Sequence, residues 1–598
     1  MPETFLPPAA RTVGRVVVWV LGLALLFVLF VIGWIGVRGF LAYDHLASAQ
    51  KQAPEIAQNI GDLSAATAAL DEVGRHTSAA RDLTSDPLWR GAEDVPWVGP
   101  QLAAVADAAA AVDDVVTGTA KPIAGVADGF GVEAFVPVDG RIDASVFAAL
   151  AGPAEDGARV AASARDDLEA IDRAPLVAPL ADAVDTLDGL LSEVASGTDA
   201  LSRASRLLPS MLGADGPREH LLLVQNNAEW RSLGGIVGAS TLLRTDKGAI
   251  ELDGQLASGD FDRYDESVLD LGEYASLYGA KPGRYIQNVT QVPDFSLTAR
   301  LAQEFAKREG RDVTSVMSID PVALSYLLEA TGPVRLPTGD ELTSDNAVQL
   351  LLNEVYLRYE DPRQQDAFFA SAAGAVFTAM TSGQVDPGAL ISALGRAGSE
   401  HRLYLWSANE DDEKVLSGTT LAGAPPASDA DTARFGVYFN DGTGSKMDYY
   451  MTSDVRLGWS GCGTGTTPRT LSLTVSLTND APADAASLPE YITGGGSFGV
   501  PVGTARTVGE IYLPKGFTIS TATPPTDRAF GGAIVGGRQV LSYSADLKPG
   551  ESATVTVDVT ADTGIRDAEA WVTPTADASL PPIVRASCAP AGTGLSLD

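Results

Sequence analysis

From Val16 to Val37 the chain runs 22 residues without a charge, VVVWVLGLALLFVLFVIGWIGV. At about 1.5 Å per residue a helix of this length reaches roughly 33 Å, enough to cross a bilayer core. Trp19 and Trp34 stand near its ends, where indoles favour the membrane interface. Arg11 and Arg15 precede the run and Arg38 follows it, so the charge bias is weak; a short inner tail and a long outer remainder is the expected orientation. A cleaved signal peptide is the rival, since Ala47-Ser48-Ala49 resembles a cleavage site. The run is too long for a usual signal core and the site lies well beyond it, so an uncleaved anchor is expected.

Beyond the anchor the pattern turns helical. Leu176, Leu180, Val184, Leu187, Leu191, Val194 and Leu201 recur at helical spacing and form one stripe. A second helix is expected over Leu102–Val116, with breaks at Asp94–Pro100 and Phe130–Asp143. From about Arg218 the pattern mixes. Leu221–Val224 is a short apolar run of buried-strand type, followed by a polar cluster from Gln225 to Arg231 expected as a loop. Strands follow at Ile236–Leu243 and Ile250–Leu256, then an acidic loop, Ser258-Gly259-Asp260-Phe261-Asp262. Helices are expected at Ser296–Arg308, Asp320–Glu329, Thr343–Tyr356 and Arg363–Met380, with a strand at Val313–Ile319. After Phe435 short strand-like runs at Ser445–Trp459, Thr470–Thr478, Thr504–Leu513, Gly536–Tyr543 and Ala553–Val559 alternate or are rich in Thr and Val, separated by Gly, Pro, Asn and Asp turns.

These periods predict a multidomain protein: a cytoplasmic tail (1–15), a transmembrane helix (16–37), a helical stalk or bundle (38–208), a central α/β domain of α-β-α sandwich type (209–434) and an immunoglobulin-like β-sandwich (435–598).

Charge narrows the partners. Forty-two basic against 77 acidic residues leave a net charge of −35, which argues against a nucleic-acid binder, because such a protein needs a basic face. The two cysteines, Cys462 and Cys588, bracket the β-region; outside the cytoplasm they are expected to pair, and in the cytosol they would stay as thiols. His45, His76, His220 and His401 form no metal-ligand spacing. Gly495-Gly496-Ser497-Phe498-Gly499 fits a hydrolase elbow in letters only, since it lies among strands and no histidine follows it. In so acidic a chain, arginines at loop positions are the candidate anion site: Arg231, Arg263, Arg358 and Arg363, whose forks match phosphate oxygens. Asp260, Asp262 and Asp361 would either neutralise them or hold a divalent cation against a pyrophosphate; surface ion pairs are the plainer alternative.

Four segments carry a resemblance: Leu221–Gly238 (LLLVQNNAEWRSLGGIVG), Asn288–Phe295 (NVTQVPDF), Val316–Val334 (VMSIDPVALSYLLEATGPV) and Gly444–Tyr450 (GSKMDYY). In order and spacing they resemble the membrane-anchored bacterial family known as domain of unknown function 4012. That resemblance implies a cell-envelope protein and no reaction. A weaker similarity points to the LytR–CpsA–Psr proteins, which move glycopolymers from a polyprenyl-pyrophosphate carrier to peptidoglycan with arginines and Mg²⁺-binding aspartates. Leu221–Arg231, Ser315–Val334 and Leu342–Gln364 are similar to segments of that family, and Arg363-Gln364-Gln365 to its Arg-Gln-Gln. By that similarity Arg231, Asp260, Asp262 and Arg263 would be catalytic, with Asp260 and Asp262 on Mg²⁺. Asn226, Asn227, Arg358, Arg363 and Gln364 would bind substrate. The departures are plain: Asn226-Asn227-Ala228-Glu229 stands where that family has an aspartate, and its arginine-rich stretch is reduced to Leu357-Arg358-Tyr359. Two functions are therefore expected: an anchored envelope protein that binds a lipid-pyrophosphate-linked glycan and transfers it to the wall, or a non-catalytic envelope scaffold that binds wall polymer or partner proteins.

Overall fold

The computed structural model describes residues 8–58, 63–128, 130, 137–461, 469–561 and 565–588. They divide into two units: Met1–Phe135 with Asp143–Pro209, and Val136–Ile142 with Ser210–Asp598.

In the first unit the apolar run is part of one continuous helix, Pro8–Gln58, of which Arg15–Gln52 is long and apolar enough to cross a membrane. The helix continues past Arg38 through a sequence rich in Ala and Leu, with Gly39 and Pro54 both inside it. Leu63–Thr84 packs along it, Gly99–Val115 packs on Leu63–Thr84, Ala144–Glu169 packs on Gly99–Val115, and Ala178–Met211 joins the last two in one apolar cluster. Alanines make close crossings possible: Ala42, Ala80 and Ala109 are all fully buried against one another. The expected stripe on the last helix is real, with Val184 and Leu191 buried and Leu176, Leu180 and Leu187 packed beside them. Val194 departs from it and stays exposed.

The second unit has seventeen strands among the described residues. β1 (Arg218–Arg231), β2 (Gly234–Asp246), β3 (Ala249–Ala257) and β4 (Ser315–Ile319) come first, then a small hairpin, β5 (Val334–Arg335) and β6 (Glu341–Leu342), then β7 (Leu403–Ser407). The remainder are β8 (Thr432–Asp441), β9 (Met451–Gly461), β10 (Arg469–Asn479), β11 (Ala505–Tyr512), β12 (Thr518–Thr523), β13 (Gly531–Val535), β14 (Arg538–Leu547), β15 (Ser552–Ala561), β16 (Asp567–Val572) and β17 (Ile583–Ser587).

One mixed sheet has the order β3-β2-β1-β4-β7, with β1 and β4 parallel. Its inward residues, Leu221, Leu223, Val237 and Val316, meet the helix Phe295–Arg308, which Asp294 caps through the Leu297 amide at 3.3 Å. Two further sheets, β12-β15-β10-β9 and β13-β14-β11-β8-β16-β17, face each other across one apolar cluster. Alternation explains it: Leu471, Leu473, Val475 and Leu477 of β10 and Val555, Val557 and Val559 of β15 point inward, with Thr and Ser between them. The six-stranded sheet is mixed too, because β16 runs parallel to β8.

Three local expectations change. The segment Gln225–Arg231 is not a loop; β1 continues through it with register shifts at Val224/Gln225 and Asn226/Trp230. The helix expected over Thr343–Tyr356 begins later, at Ala347, and runs to Arg358, widening to a π-helical turn at Leu350–Glu354. The strand expected from Ser445 begins at Met451, after a tight turn over Met447–Tyr450.

Candidate functional site

The polar end of β1 stays extended because its side chains find partners where a water-facing loop would have found solvent. Gln225 bonds on both sides of the strand: its Oε1 accepts from the Gly235 amide at 2.7 Å, and its Nε2 donates to Ser318 Oγ at 2.8 Å. The paired glycines are steric. A Cβ on Gly235 would lie 2.3 Å from the Asn226 carbonyl, and Gly234 has φ +130°, a conformation that side chains rarely adopt.

Beyond Gln225 the strand end crosses from one sheet to the other. Trp230 is fully buried inside the apolar cluster of the two facing sheets, 5.3 Å from the ring of Phe439 on β8. Its backbone N–H donates to Asp448 Oδ2 at 2.7 Å. Around it lies a buried charged group. Glu229 accepts from Arg231 Nη2 at 2.9 Å and pairs with Lys446 Nζ at 3.4 Å. Lys446 sits over the rings of Tyr356 and Tyr491, 5.0 and 5.1 Å from their centroids. Asn226 Nδ2 donates to the Tyr356 hydroxyl, and Arg231 Nε to Asn288 Oδ1 at 3.0 Å. On the far side Asn440 donates to Ser232 Oγ and to Glu510 Oε2, each at 3.0 Å.

A second group flanks the first. Asn227 Nδ2 donates to Asp320 Oδ2 at 3.0 Å and to the Pro574 carbonyl at 3.1 Å. Asp320 caps the helix Pro321–Thr331, accepting from the Ala323 amide, and also takes the Arg402 guanidinium at 2.7 Å. Arg402 reaches on to the Thr575 carbonyl and to Glu400. Beside this lattice, His401, Tyr404, Tyr438, Trp571 and Ser232 border a cavity of about 20 Å³, room for a single water. His401 has φ +55°, its ring lies 4.6 Å from Trp571, and its buried Nε2 has no hydrogen-bond partner among the described residues.

The charges do not balance. Glu229, Asp441, Asp448 and Glu510 are four carboxylates, and Arg231 and Lys446 are the cations set among them. Burial, with Glu229 next in weight, pushes Asp441 up to about 6; burial, then Asp441, holds Asp448 well above the carboxylate range. Burial alone raises Glu510 to about 8, and its hydrogen bond from Asn440 offsets only part. For Lys446 burial works against the charge, but Tyr356 and Glu229 outweigh it and its pKa rises.

The residues singled out for ligand chemistry fall in different places. Asn226, Asn227 and Arg231 belong to the buried lattice. Arg358 is turned to Asp340, with Nη1 2.8 and 2.9 Å from its two oxygens. Arg363 is 89% exposed and pairs with Asp361, the cap of its own helix, at 2.9 Å. Gln364 and Arg263 are exposed. Asp260 is exposed and accepts from the Ala257 amide at 2.7 Å, closing the turn that ends β3; Asp262 is exposed beside it. Asp260 lies near enough to Asp366 to add to the upward shift that burial gives that carboxyl. No cluster of three or more His, Cys, Asp or Glu side chains able to hold a metal occurs among the described residues. Of the pair of cysteines, Cys588 is buried after β17, and Cys462 lies outside the described residues. Ser497 is exposed after a tight glycine turn, without the helix that a hydrolase elbow requires. Sequence reading missed Lys446, Asp448, Glu510 and Arg402. Lys446 and Asp448 lie within GSKMDYY, already singled out as a motif, whereas Glu510 and Arg402 carry no local signal.

Among the described residues one helix is long and apolar enough to cross a membrane, and a mixed α/β sheet is joined through β1 to a pair of facing β-sheets. Residues 215–356 match the family model described as Protein of unknown function (DUF4012). No curated protein and no solved structure matches the chain.

Proposed function

We propose that this is a membrane-anchored envelope scaffold whose first unit is a helical bundle and whose second unit holds the α/β sheet and an immunoglobulin-like sandwich together as one stiff extracytoplasmic body. One observation carries the reading. The polar end of β1, where a ligand was expected, uses its side chains to join the α/β part to the sandwich: Trp230 lies in the sandwich core, Glu229 pairs with Lys446, and Asn227 bridges Asp320 of the α/β part to the Pro574 carbonyl. Such a lattice serves to hold two sheets in register, since each buried polar group needs a fixed partner. A disulfide between Cys462 and Cys588 would suit the same outside location, binding the segment after β9 to the end of β17.

A second reading has its own support. Arg263, Arg363 and Gln364 remain exposed at strand and helix ends, and the Asp260 turn lies beside the helix that carries Arg363. That edge offers cations and carboxylates to a polyprenyl-pyrophosphate-linked glycan with Mg²⁺ and, through it, to peptidoglycan. The test is calorimetric titration of the full chain in detergent with a short-chain polyprenyl pyrophosphate, with and without Mg²⁺. Under the scaffold reading neither titration gives saturable heat. Binding that strengthens with Mg²⁺ and disappears in Arg263→Ala/Arg363→Ala would overturn it in favour of glycan transfer.

A further inference from the structure

The helical bundle returns to the level of the membrane anchor twice, and both returns expose apolar side chains. The first return is fixed by contacts to the anchor itself. Arg38 Nε donates to the Leu83 carbonyl at 2.8 Å, Nη2 donates to the Asp82 carbonyl at 2.6 Å, and the guanidinium pairs with Asp86 at 3.0 Å. Asp86 then caps the short helix Pro87–Glu93, whose Trp89 is buried over Gly39 and packs in a cluster with Leu102 and the anchor residue Ile35. Ile35 lies inside the uncharged run, so the bundle touches the anchor within its membrane-crossing stretch. Trp34 and Arg38, with the guanidinium 5.3 Å from the indole centroid, mark the interfacial level on the anchor.

Directly after that helix comes Val95-Pro96-Trp97-Val98. Trp97 is 89% exposed and has φ +71°, a left-handed conformation that a non-glycine residue seldom takes. Val95 and Val98 are exposed beside it. The second return is the connection between the helices Ala144–Glu169 and Ala178–Met211, and it is tied to the first. Gln101 Nε2 donates to the Pro175 carbonyl at 2.7 Å, and Gln101 Oε1 accepts from the Val177 amide at 3.0 Å. Val177, also exposed, therefore stands at the same end of the bundle. An indole held outward by strained backbone, among valines and a proline, is poorly suited to water and well suited to the headgroup boundary, where indoles concentrate.

We propose that this rim, Val95, Pro96, Trp97, Val98 and Val177, inserts into the lipid interface beside the anchor. The bilayer is its occupant because the rim is continuous with a helix that already crosses into it. Contact at a second point fixes the tilt of the bundle relative to the membrane.

The test uses the full chain in phosphatidylcholine vesicles, with Trp19→Phe and Trp34→Phe silencing the anchor indoles. Lipid brominated near the headgroup should quench tryptophan emission more than lipid brominated deep in the tail, and adding Trp97→Phe should remove most of that difference. Trp97 is exposed, so its replacement leaves the bundle's packing alone, as circular dichroism in the same vesicles will show. The difference between wild type and Trp97→Phe alone repeats the reading without any anchor substitution. Shallow-lipid quenching that is unchanged by Trp97→Phe, or a Trp97 component freely quenched by aqueous acrylamide, would overturn the proposal.

Discussion

Replacing Glu510 by glutamine should stabilise the protein, and by an amount that depends on pH. Glu510 lies on β11, 3% exposed, and its carboxyl meets a single neutral donor, Asn440, at 3.0 Å. Burial raises it from an ordinary value of 4.5 to about 8. Between those two values the folded chain holds a proton that the unfolded chain has lost, so stability falls as pH rises through the window. The loss is about 1.4 kcal/mol per pH unit, reaching roughly 3 kcal/mol at pH 7 and about 4 kcal/mol at pH 8, where it levels off. Glutamine has nearly the same shape, can still take the Asn440 hydrogen bond, and never ionises. The advantage of the variant should therefore be near zero at pH 4.5 and grow to roughly 3 kcal/mol at pH 7. For a unit of roughly 400 residues that is a rise in Tm of about 4 °C. The assay is thermal unfolding of the full chain in detergent at several pH values between 4.5 and 8.5, wild type beside Glu510→Gln. Parallel pH profiles, or a variant less stable throughout, would refute the reasoning.

Trp230→Ala should cost about 3–5 kcal/mol, since it empties a fully buried site in the sandwich core; chemical denaturation reads the loss. Lys446→Met leaves Glu229 buried without one of its two cations and should cost about 3 kcal/mol or more, with part recovered by adding Glu229→Gln; a double-mutant cycle separates the two terms. Gly235→Ala forces a Cβ against the Asn226 carbonyl at 2.3 Å, so its soluble yield and Tm should both fall while Gly259→Ala, in open space, is neutral. If Cys462 and Cys588 pair, thiol titration of the denatured chain should find two thiols after reduction and none before.

Periodicity made much of this fold legible. The apolar helix Pro8–Gln58 was legible from its length and composition; the stripe on the last bundle helix, the strands of the α/β sheet and the alternating runs of β10 and β15 bury apolar faces, and that leaves a local trace. What escaped had no such trace. The polar residues from Gln225 to Arg231 look like a loop because strands seldom carry so many polar groups, and they remain extended only through partners such as Asp448 and the Pro574 carbonyl, far along the chain. Arg358 and Arg363 illustrate the converse. Their spacing invites an anion site, yet Asp340 and Asp361 meet them first, and nothing in a linear sequence tells a free guanidinium from a paired one. Asp320 was read as a helix cap, which it is; that it also holds Arg402 requires the sheet order.

The most direct test of the central claim, that β1 welds the α/β sheet to the sandwich, is hydrogen exchange on the full chain, wild type against Lys446→Met. If the weld holds the two together, amides of β1 at 220–231 and of β8 and β11 should lose protection in parallel in the variant. Loss confined to the turn around Lys446, with β1 and β8 protected as before, would contradict the account.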